Sequence, residues 1–146
     1  MRLSRRHRTG AVPPTSVTYA HAISACQKAD TPDVDSARLL LKWARDDAIE
    51  PTVFMYSSAI WTAERSSNCA VALELFDEMK MIGCSPNAVA YNGVISAVSK
   101  QGNAAQAIAL YEKMKSDGLK PTLVTYKVSR TLITVILVLV IVFIPH

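Results

Sequence analysis

Apolar residues recur at helical spacing along most of the chain. Tyr19, Ala22, Ile23 and Cys26 fall at i, i+3, i+4 and i+7, as do Tyr56, Ala59, Ile60 and Ala63, then Tyr91, Val94, Ile95 and Val98. Each set lays an apolar stripe on one face of a helix about three turns long. A second series alternates with the first: Ala37, Leu40, Leu41 and Ala44, then Ala72, Leu75, Phe76 and Met79, then Ala107, Leu110, Tyr111 and Met114. The pattern predicts helical hairpins, each with a helix A and a helix B whose facing sides are apolar. The small residue opening every helix B set predicts close backbone approach where helices cross.

The polar positions between these stripes punctuate them. Helix A gives way to Ala29-Asp30-Thr31-Pro32-Asp33, to Ser66-Ser67-Asn68 and to Gln101-Gly102-Asn103. Asn68 and Asn103 are good N-caps, and Gln106 is placed as a capping-box partner for Asn103. Gly83 and Gly118 stand where a left-handed C-terminal cap is wanted. Pro86 and Pro121, three residues further on, stop the helix. Tyr56 and Tyr91 are 35 residues apart, as are Pro86 and Pro121, while Tyr19 and Tyr56 are 37 apart. The two extra residues fit in the break at 29–33. A fixed period in this range is the signature of stacked repeats, because one hairpin cannot bury both its apolar faces alone. The expected fold is therefore all-α, a helical-hairpin repeat solenoid of about three 35-residue repeats. Its expected boundaries are a basic segment at 1–15, repeats at 16–52, 53–87 and 88–122, and a truncated fourth repeat with a hydrophobic tail at 123–146.

The tail departs from the pattern after Tyr126. From Leu132 to Ile144 only Thr134 is not strongly apolar. Thirteen residues make a helix of roughly 20 Å, short of the ~30 Å bilayer core. Two readings are open. One is a membrane anchor. The other is a repeat read through a splice junction, since Lys127-Val128-Ser129 is what a common splice-donor sequence encodes. A membrane is not an expected partner. The run is β-branched and uncharged, the composition of an aggregation-prone segment.

Charge changes the picture little. Arg2, Arg5, Arg6 and Arg8 account for the whole excess of four positive charges, and the other twelve Lys and Arg balance twelve acids. Bulk charge therefore gives no argument for nucleic acid, and any phosphate affinity must come from how charges are placed. Residues 1–12 are Arg-rich and acid-free, the composition of an organelle transit peptide and equally of an exposed basic lead-in. Cys26, Cys69 and Cys84 are odd in number and unclustered, which suits a reducing compartment rather than a disulfide framework. His7, His21 and His146 are scattered, so no metal site is expected, and no cofactor is implied. The chain has no nucleophile beside a histidine, no paired acids at a plausible site and no phosphate loop, so no catalytic residue and no enzyme activity are expected.

The 35-residue period, the V-T-Y or V-A-Y opening of helix A, A-x-x-L-[FY]-x-x-M in helix B and the closing G-x-x-P resemble the pentatricopeptide repeat family over residues 14–126. The Trp and Leu-Gly that mark tetratricopeptide repeats early in helix A are missing. The resemblance implies an RNA reader that takes one base per repeat with two or three side chains. The residue after the repeat's Tyr and the residue after its terminal Pro choose the base, and an apolar residue two before the Tyr wedges against it. These base-contacting pairs are Ala20 and Thr52, Ser57 and Asn87, and Asn92 and Thr122. The wedges are Val17, Phe54 and Val89. Ala20 has no hydrogen-bonding group, so the first repeat should be blind. The second then favours adenine and the third a pyrimidine, running 5′ to 3′.

The residues carry part of this logic by themselves. Ser and Asn offer short donors and acceptors suited to a base edge, one residue from an apolar side chain. Lys80, Lys113, Lys115 and Lys120 are candidates for phosphate contact, or the solvated face of helix B. Trp43 and Trp61 could stack on bases, although neither holds a base-contacting position, and Trp61 is placed to pack between repeats. The resemblance points to single-stranded RNA as partner, in the chloroplast or mitochondrion, in RNA processing, stability or translation. The near-neutral array leaves a protein-binding helical scaffold, or a truncated product without function, as alternatives.

Overall fold

In the computed structural model the described residues are 14–144, without the side chains of residues 124, 128, 129, 131–133, 135, 136 and 139. The basic segment expected at the N-terminus lies mostly outside them. Among the described residues seven α-helices follow in order: α1 Ser16–Lys28, α2 Val34–Asp46, α3 Val53–Arg65, α4 Cys69–Met81, α5 Ala88–Lys100, α6 Ala104–Ser116 and α7 Leu123–Phe143. The first six each have 13 residues. α1, α3, α5 and α7 are the A helices and α2, α4 and α6 the B helices. Each A helix packs on the next A helix, and each B helix packs on its own A helix and on the following one. The A layer thus carries most of the backbone contact between repeats.

The core is what the periodicity predicts. Tyr56, Ala59, Ile60 and Ala63 are fully buried, as are Tyr91, Val94 and Val98, with Ile95 nearly so. Ala37, Ala72 and Ala107, the small residues that open the helix B stripes, are also fully buried. The array is weaker at both ends: Cys26, Leu40, Leu110 and Tyr111 are only partly covered. The tyrosines add a polar tie. The Tyr19 hydroxyl donates to Asp47, Tyr56 donates to Glu78 at 2.8 Å and Tyr91 donates to Asp117. The position held by Asp47 and Asp117 is Ile82 in the middle repeat, and Glu78, one turn earlier, supplies the carboxylate there. Burial, then the carboxylate bond, pushes the Tyr56 and Tyr91 hydroxyls well above the ordinary tyrosine range. The Tyr91 hydroxyl, with Lys113 second, holds Asp117 below its usual value.

The helix ends follow the polar punctuation. Asp33, Asn68 and Asn103 cap the B helices, accepting from Ser36, Val71 and Gln106 backbone N–H groups at 3.0, 3.2 and 3.2 Å. Gln106 departs from the expected capping box. Its Oε1 accepts from the Asn103 side-chain amide at 3.1 Å rather than from the Asn103 backbone. Gly83 and Gly118 adopt φ of +81° and +79°. Ala48 and Ser67 occupy the same left-handed region, at +59° and +55°, where a Cβ is disfavoured by about 1–2 kcal/mol. Ala48 stands where the later repeats have Gly83 and Gly118, and Ser67 where the third has Gly102. Ala48→Gly and Ser67→Gly are each expected to stabilise the fold by about 0.5–1 kcal/mol, read as a raised urea midpoint. An unchanged or lowered midpoint would show that the neighbouring packing, not the turn, sets the strain.

The tail forms one helix despite losing the repeat pattern. α7 starts as an A helix: it packs on α5 and α6, and Thr125 is fully buried. Helix propagation needs only continuing backbone bonds, so the Val, Ile and Leu run extends it rather than ending it. Beyond that start Leu137, Val138 and Val140 to Ile144 are exposed. Among the described residues no helix is long and apolar enough to cross a membrane. Lys127 and Arg130 interrupt the first half of α7, which leaves the uncharged part short of a bilayer core.

Candidate nucleic-acid interface

Each loop from helix B to the next helix A ends on a residue with two tasks. Thr52 and Asn87 are the N-caps of α3 and α5, with side-chain oxygens accepting from Met55 N at 3.3 Å and Ala90 N at 2.9 Å. Thr122 opens α7 at the equivalent place. This position fixes the repeat junction and also brings its side chain beside the preceding A helix. In the second repeat Ser57 Oγ lies 3.3 Å from Asn87 Oδ1. In the third, Asn92 Nδ2 donates to Thr122 Oγ1 at 2.7 Å. Two of the three pairs read from the sequence are thus in direct contact. Ala20 is buried and Thr52 exposed, and Ala20 brings no polar group to the first junction.

The wedge positions stand out by exposure. Val17, Phe54 and Val89 are 60%, 54% and 49% exposed, and in α3 and α5 the residues that follow them, Met55 and Ala90, are fully buried. Phe54 and Val89 border one cleft of about 460 Å³, with Ser57, Asn87, Trp61 and Gln27 along it. That is the size of a small-ligand site, apolar with a few convergent polar groups.

The polar groups are specific in what they leave open. Ser57 donates its single hydroxyl hydrogen most closely to Val53 O, at 2.7 Å. Its oxygen therefore retains a lone pair. Asn87 Oδ1 is committed to the cap, while its Nδ2 has no protein partner among the described residues. The cleft offers a donor beside an acceptor. The Watson–Crick edge of adenine presents the complement, an acceptor at N1 and a donor at N6. Asn92 is less available. Its Nδ2 is held by Thr122 and its Oδ1 accepts from Thr125, which leaves one hydrogen and one lone pair. A base at the third repeat must compete with those bonds.

The lysines singled out from the sequence lie on the B-helix side or in its loops. Lys80 pairs with Asp77 at 3.0 Å, Lys113 with Asp117 at 3.2 Å and Lys115 with Glu112 at 3.1 Å. Lys80 and Lys115 also sit over the rings of Phe76 and Tyr111, at 4.7 and 4.8 Å. A different set of cations marks the A layer. α1, α3 and α5 end on Lys28, Arg65 and Lys100, one per repeat at equivalent positions. Aligning the repeats with their 37- and 35-residue offsets would have revealed this column. Arg65 donates to Gln27 O and Lys100 pairs with the buried Glu64 at 2.6 Å, so both also bridge repeats. Trp43 is on α2, away from the cleft. Trp61 packs between repeats as its position suggests, its indole N–H donating to Val89 O at 3.1 Å.

Two family descriptions match the sequence: the PPR repeat family over residues 86–129 and the pentatricopeptide repeat domain over residues 38–101. The chain belongs to the pentatricopeptide repeat family. Solved members of the family share the fold. PPR10 in complex with an 18-nucleotide psaJ RNA element superposes with a TM-score of 0.73 at 28% identity, over 87% of this chain and 18% of PPR10. PPR10 from maize gives 0.70 at 22% identity, over 89% and 18%. The pentatricopeptide repeat domain of Arabidopsis thaliana protein-only RNase P 1, in complex with tRNA, gives 0.71 at 17% identity, over 99% and 81%. This chain spans about a fifth of the length of PPR10. Comparison with curated protein sequences gives no match. Among the described residues no group of three His, Cys, Asp or Glu is placed to hold a metal, and all three cysteines are free. Burial pushes each thiol above its ordinary range.

Proposed function

We propose that this chain is a sequence-selective, single-stranded RNA-binding repeat protein acting in organelle RNA metabolism, in the chloroplast or mitochondrion. The observation that carries the reading is the cleft between Phe54 and Val89, with Ser57 and Asn87 presenting an acceptor and a donor at its side. The RNA-bound PPR10 relative, at 28% identity, supports it. A base enters between the two apolar walls, and its edge meets the Ser57–Asn87 pair. Lys28, Arg65 and Lys100 form the cation column of the A layer and are the candidates there to meet the phosphates, Arg65 and Lys100 while also bridging repeats. Across the array the preference is any base, then adenine, then a pyrimidine, from 5′ to 3′. The chain acts by occupancy, covering a site against a nuclease or holding it for an effector in processing, stability or translation.

Magnitude limits the affinity. Stacking contributes about 1–3 kcal/mol per base, and two competent repeats supply only a few kcal/mol before ordering costs. A micromolar complex needs about 8 kcal/mol. The isolated chain is therefore expected to bind its best short RNA with a micromolar or weaker Kd in fluorescence anisotropy, weakening as salt rises. Sub-nanomolar binding at physiological salt would contradict the account. Equal affinity for every base sequence would contradict sequence selectivity, and no RNA binding at all would favour the alternative of a protein-binding scaffold.

A further inference from the structure

The cleft between Phe54 and Val89, at the second repeat, holds one group that the other repeats lack. Aligned on their tyrosines, the position of Trp61 is Ser24 in the first repeat and Ser96 in the third. Phe54 and Trp61 are seven residues apart on α3, two turns along the same face, so the indole continues the wall that Phe54 begins by roughly 10 Å. Its place is fixed from both sides. The indole N–H is held by Val89 O at 3.1 Å, so the ring is tied to the residue that forms the opposite wall. Gly93 leaves the room for it. A Cβ on Gly93 would come within 3.4 Å of the indole nitrogen and 2.7 Å of the Ile60 side chain. Ser58 and His21 occupy that position in the earlier repeats, so the combination of Trp61 and Gly93 is particular to this junction.

Resting on the RNA-binding reading above, we propose that Trp61 is a further nucleotide-contacting residue, which extends the second cleft into a seat for a purine. A purine ring system reaches further along the cleft from the Ser57–Asn87 edge than a pyrimidine, and the indole offers it apolar contact. Adenine selection in this repeat therefore has two sources: donor–acceptor complementarity at Ser57 and Asn87, and ring contact at Trp61.

The test uses the full chain, whose only tryptophans are Trp43 and Trp61. The two indole N–H resonances are assigned through Trp43→Phe and followed by ¹⁵N NMR during titration with short oligo(rA) and oligo(rC), with anisotropy run in parallel. The Trp61 resonance is expected to shift with oligo(rA), saturating with the anisotropy, while Trp43 stays still. Trp61→Ser should weaken oligo(rA) binding about tenfold and oligo(rC) binding much less. Trp61→Phe, which keeps a ring but loses the bond to Val89, should stay within about threefold of the parent for oligo(rA). RNA binding with an unmoved Trp61 resonance, and no loss in Trp61→Ser, would overturn the inference while leaving RNA recognition intact. No binding by the parent chain to either oligonucleotide would overturn the RNA reading itself.

Discussion

Tyr91→Ala is expected to remove about 3–5 kcal/mol of folding stability, enough to unfold much of the array at room temperature. Tyr91 is fully buried between repeats and meets the Phe76 ring edge-on, with centroids 4.9 Å apart. Truncation leaves a cavity at the contact on which α4 and α5 depend. It also strands Asp117 without the hydroxyl that holds its pKa down. A repeat array concentrates such damage, because each repeat contacts only its neighbours and a weak junction uncouples the rest. Tyr126 holds the same repeat position in α7 but is 54% exposed, and among the described residues no helix B follows α7 to cover it. Tyr126→Ala should therefore change stability by less than about 0.5 kcal/mol. Urea unfolding followed by circular dichroism separates the two. Equal effects would mean that the junctions do not carry the stability assigned to them. The hydroxyl contributes a pH dependence of known sign. Asp117 titrates lower folded than unfolded, so its contribution is intact above the ordinary carboxylate range near pH ~4 and is lost as pH falls through the folded value.

The core was legible because repetition turns a weak signal into a strong one. One stripe such as Tyr56, Ala59, Ile60 and Ala63 fits many helical folds. Its return at Tyr91, Val94, Ile95 and Val98 after 35 residues specifies a hairpin stacked on a copy of itself. The turns were half legible. Gly83 and Gly118 announce a left-handed cap, but Ala48 and Ser67 adopt that conformation without the residue that signals it, because the junction imposes the turn. The pairing of Ser57 with Asn87 came only from the family resemblance. Nothing in the spacing of residues 30 apart shows that the N-cap of α5 meets the middle of the first turns of α3. Trp61 could be placed between repeats, yet not beside the cleft, since the opposite wall is Val89 of another helix. The length of α7 was not legible either. Loss of an amphipathic pattern says that a helix has no partner, not that it stops.

The same double duty of Asn87 gives the second large effect. Its oxygen caps α5, its amide nitrogen has no protein partner among the described residues, and the residue lines the cleft. Asp is as good an N-cap as Asn, so Asn87→Asp should fold normally. It replaces the cleft's donor with a second acceptor. Adenine N1 then faces a carboxylate instead of an N–H, whereas the guanine edge brings two N–H donors that a carboxylate accepts. Losing one matched bond and leaving two acceptors opposed typically costs about 1–3 kcal/mol, or about tenfold or more in affinity.

The most direct measurement is therefore the affinity of the parent chain and of Asn87→Asp for two short single-stranded RNAs that differ only in adenine or guanine at the position read by the second repeat. The account predicts that the parent prefers adenine, that Asn87→Asp prefers guanine, and that both proteins melt alike. Folded proteins with the same base preference, whichever it is, would show that the Ser57–Asn87 pair does not read a base.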